Sequence, residues 1–298
     1  MSRNNEDRLT PTTGASQDAA AETPPPTTNI ENEASATNAG ASFSFVTPTE
    51  FVEIPSRGEF YPEGHPLHAV ETIEIRHMTA KDEDILTSKT LLKKGIALDR
   101  MLKNIMVDKR IDTSTMLVGD KNALIVASRI SGYGADYETK VNCPSCGATN
   151  DSVFDLSETS NTDVHFYQEL ESVERVGQYY DILLPRCGVT VRTRLLTGVD
   201  EQKQARNARM AKKAGIEKGE QTLTGQFRQF IIAVNGDSTQ KSISAFIDAM
   251  PASDSRFLRT TYKAITPNVD MNMYFECDSC GYDSVMEVPF TADFFWPK

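Results

Sequence analysis

The sequence predicts an α+β fold in which two distant hairpins meet as a small four-cysteine ribbon. Three observations point there. Four of the five cysteines fall into two copies of one pattern, Cys143-Pro144-Ser145-Cys146-Gly147 and Cys277-Asp278-Ser279-Cys280-Gly281, with more than a hundred residues between them. Each copy is flanked by short segments of strand character. Helical periodicity dominates the chain ahead of the first copy and between the two.

Taken in order, residues 1–44 are rich in Ala, Thr, Asn, Ser, Glu and Pro, include Pro24-Pro25-Pro26, and hold almost no large apolar residue. Such a leader cannot bury a core and is expected to be disordered. The remaining roughly 250 residues suffice for a sizeable core. Residues 45–136 form a strand-plus-helix segment. Phe51-Val52-Glu53-Ile54 reads as a short strand entering a turn at Pro55 to Gly58, and Ala69 to Arg76 alternates as a second strand. Thr79 caps a helix with acids in its first turn, and Ile85, Leu86, Leu91 and Leu92 give it one apolar face up to Gly95. Leu98 to Met106 is a second helix and Lys121 to Ile130, opened by Asp120, a third.

The first cysteine hairpin occupies 137–157, with strands over Tyr137 to Asn142 and Ser152 to Leu156. Residues 158–268 are an inserted αβ region, mainly helical. Tyr179 to Leu184 and Val189 to Leu195 form a hairpin around Cys187-Gly188, and helices follow over Val199 to Ala214, Thr222 to Val234, Ile243 to Met250 and Ser253 to Ile265. Residues 269–298 carry the second cysteine hairpin, Met271 to Glu276 and Ser284 to Val288, and an aromatic C-terminus.

A two-residue spacer lets one tight turn present two sulfurs to the same ion, and a tetrahedral zinc takes four thiolates at about 2.3 Å. Glycine after the second cysteine supplies the left-handed backbone of that turn. Cys143, Cys146, Cys277 and Cys280 are therefore the expected ligands of one structural zinc per chain. With all four positions filled by protein, no catalytic role is implied. Closing so long a loop costs about 5 kcal/mol in chain entropy, against roughly 10 to 16 kcal/mol for a structural zinc site in peptides. The competing readings are disulfides, a redox pair, iron, or a separate metal at each knuckle. No signal peptide or long apolar run argues for an oxidising compartment or a membrane, and a redox C-x-x-C belongs at a strand-to-helix junction. Cys187 reads as a buried small hydrophobe near a turn.

Other motifs have plainer explanations. Lys and Arg number 31 against 42 acids, a net charge of −11, which argues against a nucleic-acid coat. His65 and His68 lack the further donors of a metal site. Gly132-Tyr133-Gly134 follows a helix instead of opening one, so it reads as a helix end. Asp82-Glu83-Asp84 sits where a helix N-terminus favours negative charge. No catalytic or cofactor-binding residue stands out. Lys203, Arg206, Arg209, Lys212 and Lys213 make a basic stripe on one helix, either a solvated face or a dock for an acidic protein surface. Phe290, Phe294, Phe295 and Trp296 either complete the core of the ribbon or anchor another subunit.

Several of these segments together resemble the baseplate hub proteins of T-even-like contractile-tailed bacteriophages. They are Ile54-Pro55-Ser56-Arg57-Gly58-Glu59-Phe60-Tyr61-Pro62, the Met78 to Leu86 helix start, Gly119 to Leu124 leading to Gly132-Tyr133-Gly134, the first C-x-x-C-G, and Phe294-Phe295-Trp296-Pro297. The resemblance implies a structural protein of the tail baseplate, made in the host cytoplasm and built into the virion. It implies hub and wedge subunits as partners, several copies in a symmetric assembly, and neither a membrane nor a nucleic acid as a partner. Two other classes stand beside it: a tail-associated cell-wall hydrolase, and a cytosolic zinc-ribbon regulator binding nucleic acid through the basic stripe.

Overall fold

Strands β1 (Thr49–Glu53) and β2 (Thr72–Arg76) pair antiparallel with Thr49 opposite Arg76 and Glu53 opposite Thr72. The computed structural model describes residues 47–213, 223–288 and 292–295; the leader expected at 1–44 lies outside them. The connection from 54 to 71 is a buried loop, with Ile54, Ser56, Phe60, Tyr61 and Leu67 all turned inward. Gly58 lets it fold back on itself. Its φ is +73°, and an added Cβ would lie 2.3 Å from the backbone nitrogen of Val70.

Helix α1 (Ala80–Thr87) starts as the sequence implies, with the Asp82 carboxylate accepting from the Thr79 N–H at 2.9 Å and its hydroxyl at 2.8 Å. The single helix expected up to Gly95 is corrected to two. Ser88 takes an extended conformation with ψ of 106°, α2 (Lys89–Lys94) follows, and Leu92 is 48% exposed instead of sharing one buried face. Helix α3 (Ala97–Ile105) buries Ala97, Met101, Leu102 and Ile105 at helical spacing. Helix α4 (Val118–Tyr133) runs through the middle of the core and ends where Gly134 donates to the Ile130 carbonyl at 2.9 Å.

The two cysteine hairpins have the expected strands within a few residues. They are β3 (Asp136–Asn142) with β4 (Thr149–Asp155), and β11 (Asn272–Glu276) with β12 (Asp283–Glu287). Between them, β5 (Ser160–Asn161) pairs with β10 (Val269–Asp270). This short ladder joins the start of the intervening region to its end. The Thr162 N–H donates to the Asn268 carbonyl at 2.9 Å, and the Asn268 N–H returns to the Thr162 hydroxyl at 2.9 Å.

That region contains more sheet than its periodicity suggests. Strands β6 (Val173–Val176), β7 (Tyr179–Leu183), β8 (Thr190–Arg194) and β9 (Ile231–Val234) form one antiparallel sheet in that order. Helices α5 (Gly198–Lys213), α6 (Leu223–Phe230), α7 (Gln240–Ala249) and α8 (Ala252–Ile265) complete it. The helix expected from Thr222 to Val234 is corrected to α6 followed by β9. Ile231, Ile232 and Val234 are β-branched, and Asn235 and Gly236 take positive φ of 47° and 82° to turn the chain. Pairing with β8 then wins over helix propensity. One apolar core runs from Ile54 and Leu67 through Leu102 and Leu124 to Tyr180, Val191, Leu258, Phe275 and Phe294.

Candidate metal centre

Each cysteine turn is a six-residue tip closed by the same two hydrogen bonds. Cys143 donates its N–H to the Ala148 carbonyl at 2.8 Å, and Gly147 donates to the Cys143 carbonyl at 2.9 Å. Cys277 donates to Tyr282 at 2.8 Å, and Gly281 to Cys277 at 2.9 Å. Gly147 and Gly281 have φ of 73° and 69°, the left-handed values that glycine tolerates best.

The two tips converge. All four Sγ atoms lie within 4.8 Å of one another, with Cys143 to Cys280 and Cys146 to Cys277 each 3.8 Å apart. An ion bonded tetrahedrally to four sulfurs at about 2.3 Å would space them about 3.8 Å apart, whereas a disulfide needs about 2.05 Å. All five cysteines are free thiols. The donor set therefore fits a closed metal site. Cys143 and Cys277 face inward and Cys146 and Cys280 outward, so the first cysteine of each pair roots the cluster in the core.

Asn150 ties one tip to the other. Its Nδ2 donates to the Cys277 sulfur at 3.5 Å, and its Oδ1 accepts from the Asp278 N–H at 3.0 Å. Burial opposes a thiolate on Cys277, but N–H groups of Ser279 and Cys280, the Cys143 thiol and Asn150 outweigh it and bring the pKa down to about 6. Cys280 moves the other way, up to about 12. The Tyr282 N–H favours its thiolate, yet burial and the sulfurs of Cys146, Cys277 and Cys143 prevail. Four thiolates crowded this closely would need a cation among them.

The surrounding residues explain how the ribbon is mounted. Arg129 of α4, 1% exposed, donates to the carbonyls of Phe294 at 2.7 Å, Gly134 at 2.5 Å and Asp136 at 2.8 Å. It thereby holds the C-terminal aromatic turn and the start of β3 on one helix. Phe294 meets Tyr137 edge to face at 5.0 Å and Phe295 at 5.4 Å. Of the two readings of the aromatic end, packing back on the ribbon holds for Phe294 and Phe295; Phe290 and Trp296 lie outside the described residues.

Two sequence motifs meet at a buried carboxylate. Asp120 accepts from the Ser56 N–H at 3.0 Å, the Ser56 hydroxyl at 2.6 Å and the Tyr61 hydroxyl at 2.7 Å, while Leu117 donates its N–H to Tyr61 Oη at 2.9 Å. Burial pushes the Asp120 carboxyl up, against the pull of Ser56 and Tyr61. Gly119 beside it lets α4 touch the chain ahead of β10: a Cβ there would lie 2.0 Å from the Pro267 carbonyl oxygen.

Several other candidates take structural roles. His65 stacks on Tyr61 at 4.6 Å and bonds Thr115 at 2.9 Å, and His68 bonds the Tyr61 carbonyl at 2.7 Å, so neither faces a ligand set. Gly134 ends α4 as expected of a helix end. Asp82 is buried by Arg76, Thr79 and Asn104. On the basic stripe Lys203 and Arg206 are exposed, Arg209 bonds the Lys94 carbonyl, and the Lys212 and Lys213 side chains lie outside the described set. Cys187 corrects its expectation. It is exposed at a hairpin tip, and its thiol donates to the Asp254 carboxylate. No helix among the described residues is long and apolar enough to cross a membrane.

The model of the family described as T4 bacteriophage base plate protein matches residues 48–296. The chain belongs to that family. No curated protein and no solved structure was found to match the chain. Base plate membership gives the chain a structural place in a phage tail and other baseplate proteins as partners. The match begins next to β1 and ends beside Phe294 and Phe295, so it takes in the Asp120 node, both cysteine tips and everything between them.

Proposed function

We propose that this base plate protein is a hub or hub–wedge junction component whose two cysteine tips clamp one structural zinc through Cys143, Cys146, Cys277 and Cys280. The observation that carries the reading is the convergence of four sulfurs from hairpins 131 and 137 positions apart onto one tetrahedral-sized cluster. Zinc suits it because four thiolates in a closed tetrahedral shell are its usual structural site. The ion has no vacant position for water, so the protein acts by contact and not by turnover. Residues 1–44 serve as a leader, 45–136 and the two ribbons 137–157 and 269–298 as the mounted frame, and 158–268 as the insert presented to other subunits. Assembly takes place in the host cytoplasm with several copies around a symmetric hub.

Cys143→Ser or Cys280→Ser should release zinc, read by elemental analysis, and abolish incorporation into tails. Incorporation at the normal level with the metal gone would overturn the clamp. The competing hydrolase predicts peptidoglycan turnover by the purified chain that one carboxylate substitution abolishes. A nucleic-acid regulator predicts steeply salt-dependent binding to DNA or RNA.

A further inference from the structure

The tip of the β7–β8 hairpin repeats the cysteine turn without its leading ligand. Leu184-Pro185-Arg186-Cys187-Gly188-Val189 aligns position for position with Cys143 to Ala148 and with Cys277 to Tyr282. The closing bonds are the same: Leu184 donates to the Val189 carbonyl at 2.9 Å and Gly188 to the Leu184 carbonyl at 3.0 Å. Gly188 has the same left-handed backbone, with φ of 64°.

What differs is the anion. In the second cysteine tip the N–H groups at the third and fourth positions, Ser279 and Cys280, hydrogen-bond the sulfur of the leading Cys277. In the β7–β8 tip the leading residue is Leu184, whose side chain is buried in the core and offers no charge. The N–H groups at the third and fourth positions, Arg186 and Cys187, donate instead to Oδ1 and Oδ2 of Asp254 at 2.9 and 3.0 Å. Asp254 lies in the first turn of α8 with 0% of its surface exposed. A carboxylate thus sits in the donor pair that a ligand sulfur fills elsewhere. The pair makes a small concave anion site, and the α8 N-terminus adds favourable potential for the same charge.

We propose that Leu184–Val189 is a metal-free counterpart of the cysteine turns, with the Asp254 carboxylate bound in its anion site as a fixed internal ligand joining α8 to the inserted sheet. The joint is positional. α8 runs through Ile265 and Pro267 into β10 and then β11, so the place where Asp254 is held sets where the second cysteine pair begins. Two joints of one geometry then act in series. One depends on thiolates and an ion; the other depends on a carboxylate and survives chelation. The proposal uses the backbone geometry of the cysteine tips and not the identity of the metal.

The test is amide hydrogen exchange on the full chain with metal content measured in parallel. In the wild type, a chelator should deprotect 143–148 and 277–282 and leave the Arg186 and Cys187 amides as slow as before. Asp254→Ala should speed exchange at those two amides about tenfold or more, since both donors lose a charged acceptor. Metal content should stay at the wild-type level. Asp254→Asn keeps the shape and one carbonyl acceptor and should give a smaller increase, which serves if the alanine variant fails to fold. Cys187→Ala keeps both backbone donors and removes only the thiol's own hydrogen bond to Asp254, so it should speed the two amides clearly less than Asp254→Ala does; an equal effect overturns the proposal. Unchanged exchange at Arg186 and Cys187 in Asp254→Asn and Asp254→Ala overturns the proposal, as does opening of 184–189 together with the cysteine tips on chelation. A metal-free wild type with slow Arg186 and Cys187 amides would remove the zinc reading and leave this joint standing.

Discussion

The Asp120 node gives the sharpest energetic prediction. Asp120→Ala removes the acceptor of three hydrogen bonds, from the Ser56 N–H, the Ser56 hydroxyl and the Tyr61 hydroxyl, all inside the core. Each donor left unpaired in a dry environment costs roughly 1 to 3 kcal/mol. Part of that is offset because a buried carboxylate is itself unfavourable, as the upward push on its pKa shows. The net expectation is a loss of about 4 kcal/mol, close to the range for breaking one side of a buried charged cluster. At about 2 to 4 °C per kcal/mol for a chain of this size, Tm should fall by about 10 °C. Tyr61→Phe removes one bond to Asp120 and orphans the Leu117 N–H, for about 2 kcal/mol. The double variant should fall short of the sum by about 1 to 2 kcal/mol, because the Tyr61 to Asp120 bond is lost only once. Urea unfolding followed by circular dichroism, at equal metal content and unchanged m, supplies the measurement. A loss below about 1 kcal/mol for Asp120→Ala, or strict additivity, would refute the view that the two motifs exist to lock together.

Three further outcomes are expected. Asp82, held by Arg76, Thr79 and Asn104 against the cost of burial, has its pKa lowered from 3.8 to about 2, so it contributes roughly 2 kcal/mol. That contribution is present above the unfolded pKa and is lost as pH falls from about 4 to about 2; Asp82→Asn should flatten the acid limb of the stability curve in that window. Gly119→Ala puts a methyl 2.0 Å from the Pro267 carbonyl oxygen, and because the obstacle is backbone it should cost about 1 to 3 kcal/mol or more in chemical denaturation, whereas Gly134→Ala meets no neighbouring atom and is opposed only by its φ of +85°. Chelation should raise the reactivity of Cys146, Cys277 and Cys280 to a thiol probe while leaving most far-UV dichroism intact; collapse of the helical signal would contradict a clamp confined to the ribbons.

The parts of the fold that were legible in the sequence are those where local chemistry and tertiary structure agree. Thr79 with Asp82, the α3 stripe, and the two C-x-x-C-G tips each declare themselves within a few residues. The β9 strand was missed because Ile231-Ile232-Ala233-Val234 is equally at home in a buried helix, although the Asn235-Gly236 pair directly after it was a hairpin signal. The break at Ser88 was hidden by apolar residues that keep helical spacing across it. Asp120 and Asp254 were unreadable for a different reason. A buried polar residue interrupts the hydrophobic pattern by which burial is inferred, and its partners lie 64 and 68 positions away. For the candidate metal centre, the four cysteines that converge were legible in the sequence, and Asn150 was not, since nothing in its own turn requires an amide.

The structure also shifts the work that an ion at the cysteine cluster would perform. In the sequence alone, nothing but the metal closes the long intervening loop, at an entropic cost of about 5 kcal/mol. Yet β5 and β10 already join the ends of that loop, and Thr162 exchanges bonds with Asn268, whose Oδ1 accepts from Asn122 of α4 at 3.0 Å. The Pro267 backbone is pressed against Gly119 of the same helix. Closure is therefore met by peptide contacts before the sulfurs are reached. What remains undetermined by those contacts is the angle at which two narrow hairpins stand on the core, because two-stranded ribbons are marginal on their own. Four sulfurs, Asn150 across the tips, and Arg129 at the base remove that freedom. In a protein whose partners are other baseplate subunits, fixing orientation matters more than adding stability, since a rigid face avoids the ordering cost at each contact.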